Sequence, residues 1–330
     1  MNTARPLGRR ALLAAVTAAT LPVSLSSRDD RGIHQPGIVS PPMPFLALAG
    51  FDLRSTSAQE ARRLLQGWTA SIGRLGDSRR TVTIGFGPSM FDRVAELADR
   101  RPGPLQPLPP FPGEAIDDRA SHGDICVQVC ATTPAAAADG LRTLLNIARP
   151  QAGLRWRQFG YRDQDGTADP RNPFGFRDGT ANLDLAGRDL WVSDGNGWMN
   201  GGTYLVMRRI RLLLDTWDRT ALADQEAMIG RAKGSGDRIG AGHAGLAAPG
   251  GNNGATMLRR SYSYDGGVDV NGLQDSGLIF LAYQRDPGRQ FVPVQRRLAA
   301  GDPLNAFSQH VASGVFACPP ASFLGEGLLL

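Results

Sequence analysis

Asp178 is the carboxylate of this sequence best placed for acid–base chemistry, because Gly175 and Gly179 bracket it closely. Glycine adopts backbone conformations closed to other residues and lets a bulky partner approach the main chain. A carboxylate presented in this way can exchange a proton with a bound molecule when its pKa suits the conditions. Asp-Gly is also ordinary turn chemistry, so these few residues alone favour a simple Asx-type turn.

The sequence contains four histidines, which limits the imidazoles that could bind a metal ion. His34 lies near the N-terminus, in a segment that we expect to be mobile, and His122 precedes a predicted strand and belongs to a loop or the surface. His243 and His310 are therefore the candidate ligands. A histidine among small residues is more often structural, so residue type alone does not assign this role.

Three segments, in this order, resemble the dye-decolourising peroxidases, a family of haem enzymes. Gly175 to Gly179 resembles their Gly-Phe-x-Asp-Gly signature, and the other two segments run from Gly242 to Pro249 and from Met257 to Tyr264. With shorter stretches at both ends, the resemblance covers roughly residues 35–325. It is nearest to the twin-arginine-exported branch, which includes the bacterial deferrochelatase/peroxidases.

The resemblance implies one haem b per chain, with His243 as the axial iron ligand and an open face for peroxide. It implies that Asp178 transfers a proton of hydrogen peroxide and that Arg259, also in contact with the cofactor, stabilises negative charge as the O–O bond breaks. Further cofactor contacts are implied for Arg231 and Phe280, and for residues that flank the motifs: Gly179, Thr180, Ala181, Ala248, Pro249 and Gly250.

Several of these positions have a plainer explanation. In a strand Arg260 points away from Arg259, so only one of the two can face a pocket, and the pair is also typical of a solvated strand edge. Phe280 is as typical of plain core as of a cavity wall. His310 could lie near a haem propionate or on the surface.

The chain departs from the family pattern around the axial ligand. The family often has Arg at the position of Gly245, Asn at that of Ala248 and Glu at that of Ala306. A proximal histidine usually donates its second N–H to a carboxylate or carbonyl, which makes the ligand more basic. Either Asp302 or a backbone carbonyl could accept that hydrogen bond here.

The combined pattern favours a secreted haem b peroxidase that uses hydrogen peroxide to oxidise small organic or dye-like reductants in one-electron steps. The deferrochelatase relatives make a haem-processing enzyme an alternative, with release of iron or oxidation of porphyrinogen. A low-turnover haem-binding protein and a structural domain without a cofactor are further alternatives. A homo-oligomer is compatible with each of them.

Residues 1–28 are predicted to be an export signal. Arg5, Arg9 and Arg10 precede an apolar run from Ala11 to Leu25 that is too short to span a bilayer comfortably. Arg9-Arg10 resembles a twin-arginine signal, which would make the folded-protein export machinery a partner. An ordinary secretory signal is the alternative. We expect a periplasmic or extracellular protein without a stable membrane anchor.

The formal net charge of +5 comes mainly from this predicted signal. Four of the 36 basic residues and none of the acidic ones precede Asp29, which leaves 32 basic and 31 acidic residues. A nearly neutral mature protein gives no electrostatic case for binding nucleic acid.

Alternating strand and helix patterns begin after residue 44 and predict an α/β or α+β protein. Asp124 to Cys130 followed by Pro134 to Ala148 is matched by Gly277 to Gln284 followed by Pro287 to Leu298, which suggests two copies of one unit. The pattern alone does not separate these copies from a doubly wound sheet.

The family resemblance implies an α+β fold with two ferredoxin-like domains and facing antiparallel sheets, the dimeric α+β barrel type. We expect a mature N-terminal segment over 29–44, an N-terminal domain over 45–185 that carries the Asp178 loop, and a C-terminal domain over 200–325. Haem is expected mainly in the C-terminal domain.

The three cysteines give no disulfide framework. Cys126 and Cys130 lie on one predicted strand, about 13 Å apart, which is too far for a bridge. They are predicted to share a face and to behave as small buried apolar residues. Cys318 has no partner in the sequence pattern, and a cysteine-based metal site is not expected.

Overall fold

The computed structural model describes residues 33–75, 79–163, 170–177, 183–195 and 197–324. The strands of the first half are β1 (Phe45–Leu53), β2 (Arg80–Phe86), β3 (Ile125–Ala131) and β4 (Ala152–Tyr161). Its helices are α1 (Pro36–Val39), α2 (Ala58–Leu75), α3 (Pro88–Arg93) and α4 (Pro134–Ala148), with short 3-10 turns over Ala95–Arg100 and Asp118–Ala120.

The second half repeats this plan. Its strands are β5 (Thr203–Leu212), β6 (Leu258–Arg259), β7 (Tyr262–Val268), β8 (Gln274–Gln284) and β9 (Ser308–Cys318). Its helices are α5 (Leu214–Asp218), α6 (Leu222–Ile229), α7 (Gly242–Leu246) and α8 (Phe291–Gly301), with 3-10 turns over Pro249–Gly251, Pro303–Ala306 and Ala321–Phe323.

Both halves order their antiparallel strands in the same way. From one edge to the other, the order is β4-β1-β3-β2 in the first half and β9-β5-β8-β7 in the second. The first strand of each half is therefore internal to its sheet. α4 follows β3 and α8 follows β8, as the internal similarity predicts. Two ferredoxin-like units are therefore present, and the predicted α+β fold is confirmed.

The two sheets close into a continuous ring of strands. β2 meets β9 at Phe86 and Ala317, and β4 meets β7 at Tyr161 and Ser263. The space between the sheets is filled by side chains from both halves, including Leu48, Cys126, Cys130, Met207, Tyr262, Tyr283 and Phe316. A second core packs α2 and α4 against the outer face of the first sheet, with Trp68 fully buried. Cys126 and Cys130 share one face, as predicted.

Residues 88–100 form two short elements and not one continuous helix. α3 ends at Arg93, because Val94 has an extended conformation with ψ of 98°. A 3-10 turn begins at the next residue. Val is stiff at χ1 and has a modest helix propensity, which makes it a suitable place for this break.

The segment that begins at Ile33 is docked, which corrects the expectation that the region of His34 is mobile. The His34 ring stacks on Trp191 with centroids 3.6 Å apart, and its Nδ1 lies 2.8 Å from the Gly201 carbonyl. Gln35 is 1% exposed. The residues before Ile33, including the predicted export signal, lie outside the described part of the chain.

In the described residues, no helix combines the length and apolar character that crossing a membrane requires.

Candidate functional site

A cavity of about 400 Å³ opens in the second half of the molecule. α7, α8, β7, β8 and β9 contribute to its walls, together with the loop around Asn172. Among the predicted site residues in the described chain, the lining includes Arg231, His243, Ala248, Pro249, Arg259 and Phe280. Predicted residues from two of the three sequence motifs, together with Arg231 and Phe280 from outside them, therefore meet around one space.

Two glycines determine where His243 lies. Gly230 ends α6 with φ of +80°, and Gly242 begins α7 with φ of +39°. A Cβ on Gly242 would lie 2.5 Å from the Gly230 nitrogen, and a Cβ on Gly230 would lie 2.7 Å from the Ala241 carbonyl oxygen. The end of α6 and the start of α7 thus touch through backbone alone. This contact places His243, one residue later, at the cavity wall.

Asp302 is the hydrogen-bond partner of His243. The Asp302 Oδ2 atom lies 2.5 Å from His243 Nδ1, and the Asp302 side chain is only 4% exposed. Its Oδ1 atom accepts a hydrogen bond from the Leu304 backbone N–H at 3.0 Å. The carboxylate is therefore fixed on both oxygens. Of the two partners that the sequence left open, the structure places Asp302 and not a backbone carbonyl beside His243.

This pairing leaves the other ring nitrogen of His243 available. With Nδ1–H donated to the carboxylate, the lone pair of Nε2 is free to bind a metal ion. The side chain retains 37% exposure and lines the cavity. The pair therefore presents one imidazole nitrogen to the cavity, on a ring that a carboxylate holds in place.

Arg259 and Arg260 point to opposite sides of their strand. Arg259 lines the cavity. Arg260 is 8% exposed and donates from Nη2 to the Ile38 carbonyl at 3.1 Å. The strand alternation predicted for this pair therefore places the first arginine at the cavity and the second in the protein interior.

The cavity wall is rich in arginine, and this composition favours an anionic ligand. The lining contains the aspartates Asp163 and Asp302 and six arginines: Arg162, Arg171, Arg177, Arg231, Arg238 and Arg259. The apolar surface that lies among them comes from Phe280, Phe291 and Leu298, among others. A flat apolar macrocycle with two carboxylates and a metal centre matches all three chemistries: apolar walls, guanidinium groups and a free imidazole nitrogen.

Arg238 is a lining residue that the sequence motifs did not indicate. Its Nη2 atom lies 3.3 Å from the position that a Cβ would take on Gly245. Gly245 stands where the resembled family often has an arginine. Arg238 therefore brings a guanidinium close to the side-chain position that Gly245 leaves open.

The predicted contacts around the first motif are only partly described. Asp178, Gly179, Thr180 and Ala181 lie outside the described residues, while Arg177, immediately before them, lines the cavity. Gly250 is exposed and does not belong to the lining, unlike the preceding Ala248 and Pro249.

The loop that leads to Asp178 is tightly held. Asn172 Oδ1 accepts hydrogen bonds from the backbone N–H groups of Phe174 and Phe176 at 3.0 and 3.2 Å. The rings of both phenylalanines pack on Trp217, with centroids 4.3 and 6.1 Å away. An Asx-type turn is present, but Asn172 forms it. The chain consequently arrives at Arg177 in a fixed position.

His310 lines the cavity and belongs to a polar group with Arg208 and Glu114. Arg208, which is 1% exposed, donates from Nε to His310 Nδ1 at 3.1 Å and forms an ion pair with Glu114. Because Nδ1 accepts, the proton of the neutral ring resides on Nε2. Burial, and secondarily the charge of Arg208, lower the pKa of His310 from 6.5 to about 3. This lining histidine is neutral at physiological pH and, within the described part of the chain, has no carboxylate partner like that of His243.

The low pKa of His310 predicts a stability loss in acid. The ring stays neutral in the folded state down to about pH 3 but protonates below 6.5 in the unfolded state, so falling pH favours unfolding. Between pH 8 and 5 the loss should approach about 2 kcal/mol. His310→Gln, which retains an acceptor for Arg208, should show a smaller loss than the parent in urea unfolding at both pH values. An equal loss of stability in the parent and in His310→Gln would contradict the low pKa assigned to His310.

Comparison with known proteins places both halves in one family. Residues 35–162 match the model of the Dyp-type peroxidase N-terminal domain, and residues 169–323 match that of the Dyp-type peroxidase C-terminal domain. The chain is 33% identical over 365 residues to a dye-decolorizing peroxidase of Thermobifida fusca, covering 91% of this chain and 85% of the relative.

Two further comparisons agree with this match. A deferrochelatase of Escherichia coli is 29% identical over 365 residues, covering 90% of this chain and 86% of that protein. Among solved structures, ferric DtpA from Streptomyces lividans superposes with a TM-score of 0.83 at 36% identity, covering 87% of this chain and 92% of that one.

Proposed function

Since the chain belongs to the Dyp-type peroxidase family, we propose that its arginine-lined cavity binds haem b through His243 and acts on peroxide through Asp178 and Arg259. The protein is a haem-dependent peroxidase that uses hydrogen peroxide to oxidise organic donors.

The observation that carries the proposal is the His243–Asp302 pair at the cavity wall. A carboxylate on Nδ1 strengthens Nε2 as a ligand and fixes the plane of the ring. His310 lines the same cavity, but Arg208 holds its Nδ1, and no carboxylate among the described residues is bonded to it. The two candidate histidines therefore differ in chemistry, and only His243 resembles an axial ligand.

Arginine side chains would hold the carboxylates of the cofactor. Arg231 and Arg238 follow α6 and face the cavity, and their backbones form an isolated bridge, which keeps the two side chains in one region. Ala248, Pro249 and Phe280 would provide apolar contact. Gly179, Thr180, Ala181 and Gly250 are proposed neighbours on the basis of the family motifs alone.

When bound, haem would supply the redox chemistry, in which peroxide takes up two electrons and the organic donors provide them one at a time. Asp178 would take the first proton of hydrogen peroxide and deliver it to the leaving oxygen, which departs as water. Arg259, always charged, would stabilise the negative charge that develops as the O–O bond breaks. The buried Arg260 cannot share this task, because it faces the opposite side of the strand.

An absorbance spectrum of the purified holoprotein tests this proposal. We expect a Soret band of ferric haem with a histidine ligand, and its rapid change after one equivalent of peroxide. A protein that binds haem, but whose haem spectrum changes slowly after peroxide is added, would be a low-turnover haem carrier. A protein without a Soret band after haem reconstitution would contradict the assignment of the cavity.

Release of iron from haem is the second candidate, because relatives of nearly equal coverage bear the name deferrochelatase. Porphyrin without iron fluoresces, whereas haem does not. Incubation of the holoprotein with a reductant and an iron chelator therefore distinguishes the two activities. Growth of porphyrin fluorescence would favour haem processing, and peroxide-dependent donor oxidation without it would favour the peroxidase alone.

The division of the chain and its location are also part of the proposal. We assign the N-terminal segment to 29–44, the first domain to 45–185 and the second to 200–325, the last carrying most cofactor contacts. Small organic or dye-like reductants are the proposed donors, and a homo-oligomer is compatible with the fold. The twin-arginine machinery is the proposed export partner, which places the mature protein in the periplasm or outside the cell.

Replacing Arg9 and Arg10 with lysine should trap the protein in the cytoplasm. The twin-arginine route depends on the arginine pair, whereas the general secretory route depends on positive charge, which lysine keeps. Fractionation followed by immunoblotting measures the outcome, with Arg5→Lys as the matched control. Unchanged export of the double variant would assign the signal to the general secretory route.

A further inference from the structure

Residues 259–263 separate the cavity from the N-terminal segment of the chain. The side chains of Arg259, Ser261 and Ser263 line the cavity. The side chains between them, Arg260 and Tyr262, are 8% and 2% exposed and face the other way. This short stretch is thus a wall with one face on the cavity and one face on the protein interior.

The N-terminal segment accepts hydrogen bonds from the interior face of this wall. Arg260 Nη2 donates to the Ile38 carbonyl at 3.1 Å, and the Tyr262 hydroxyl donates to the Met43 carbonyl at 3.0 Å. No carboxylate within the described ranges lies at ion-pair distance from Arg260. The carbonyl of Ile38 is therefore a principal partner of a buried guanidinium, and such bonds to charged groups are among the stronger ones.

The N-terminal segment is itself fixed to both halves of the ring. Gln35 donates from Nε2 to the carbonyls of Ile84 and Pro319, both at 2.9 Å, and accepts from the Ile84 N–H at 2.7 Å. Ile84 belongs to the first half and Pro319 follows the last strand of the second. A segment fastened in this way is a rigid support for what it touches.

The wall is paired with β8 along one edge, where the Arg260 N–H donates to the Leu281 carbonyl at 2.8 Å and Tyr262 and Ser263 pair with Ile279 and Leu278. β6 is only two residues long and pairs with β8 through Leu258 and Arg259. On the far edge, the described chain pairs with this stretch only where Ser263 meets Tyr161. Beside this pairing, the side chains of Arg260 and Tyr262 connect the wall to the N-terminal segment, so that loosening the segment should loosen the strand that presents Arg259.

We infer that the N-terminal segment, residues 33–43, is a positioning element of the peroxide site, acting through Arg260 and Tyr262 on the strand that presents Arg259. The functional part of this inference rests on the proposed role of Arg259. It also sets a limit on processing, since removal of the signal must leave Gln35 and Ile38 in the mature chain.

Hydrogen exchange and peroxide kinetics on the holoprotein test the inference together. Arg260→Met removes the donor to Ile38 while keeping the length and apolar character of the side chain. We expect faster amide exchange over residues 258–264 and a reaction with peroxide that is about tenfold slower. This effect is smaller than the roughly 100- to 1,000-fold loss of rate expected when a charge-stabilising donor is itself removed. Arg260→Lys, which keeps a donor, should recover most of both. Arg296→Met, on the exposed face of α8, is the matched control.

A second variant acts from the other side of the contact. Gln35→Ala loosens the segment without touching the wall, and it should raise exchange over the same residues even if Arg260→Met does not fold. Unchanged exchange over 258–264 in both variants would overturn the inference. If exchange rises but neither these variants nor Arg259→Leu slow the peroxide step, the support is real and the proposed role of Arg259 is wrong.

Discussion

Replacing His243 with alanine should remove the iron ligand and with it the ferric histidine spectrum. The described cavity offers His310 as another imidazole, but its Nδ1 is occupied by Arg208 and it lacks a carboxylate partner. Loss of the axial ligand leaves only apolar contacts and arginine–carboxylate pairs to hold the cofactor. We expect most haem to be lost on gel filtration, and the remainder to show a shifted Soret band.

His310→Ala is the matched control for this substitution. It should keep a normal Soret band, because its imidazole is neutral and already accepts from Arg208. Asp302→Asn should give an intermediate result, with haem bound but the ligand less basic. A normal spectrum in His243→Ala together with a lost spectrum in His310→Ala would reverse the assignment of the two histidines.

Asp178→Asn and Arg259→Leu should each slow the reaction with peroxide while haem stays bound. A general base typically contributes about 100- to 10,000-fold to such a step. One charge-stabilising donor contributes roughly 100- to 1,000-fold. The two residues are about eighty positions apart, so the fold must bring them to one haem face.

Stopped-flow measurement of the Soret change after peroxide addition checks both variants. Asp163→Asn, which alters another carboxylate of the cavity lining, is the control for a general change of charge. It should react within about threefold of the parent. If Asp178→Asn and Arg259→Leu also react within that range, neither residue performs the acid–base chemistry, and an ordered water or another side chain must do so.

Local patterns were sufficient to predict most of the regular elements. α4 has the predicted bounds, because Thr133 caps the helix start and Pro134 occupies its first position. The repeated strand–helix pair also predicted the internal symmetry. β9 was missed because Gln309, His310 and Ser313 interrupt its apolar pattern.

The sequence predicted only those cavity residues that belong to recognisable motifs. His243, Arg231 and Arg259 came from recognisable segments and meet in the structure. Asp302 was one of two open choices, since the sequence does not show that the turn after α8 passes beside α7. The contact of Glu114 with Arg208 joins a proline-rich loop to a strand almost a hundred residues later, and no local signal predicts such a pair.

The burial of the three cysteines makes them reporters of how often the ring of strands opens. Cys126, Cys130 and Cys318 are free and buried, and burial raises the pKa of each thiol. Because the thiolate is the reactive form, a labelling reagent can attack only molecules whose strands have separated. The rate of labelling therefore measures how often the ring opens, independently of any colour from the cofactor. The same concealment protects the chain in an oxidising compartment, where an accessible thiol could crosslink it to a neighbour.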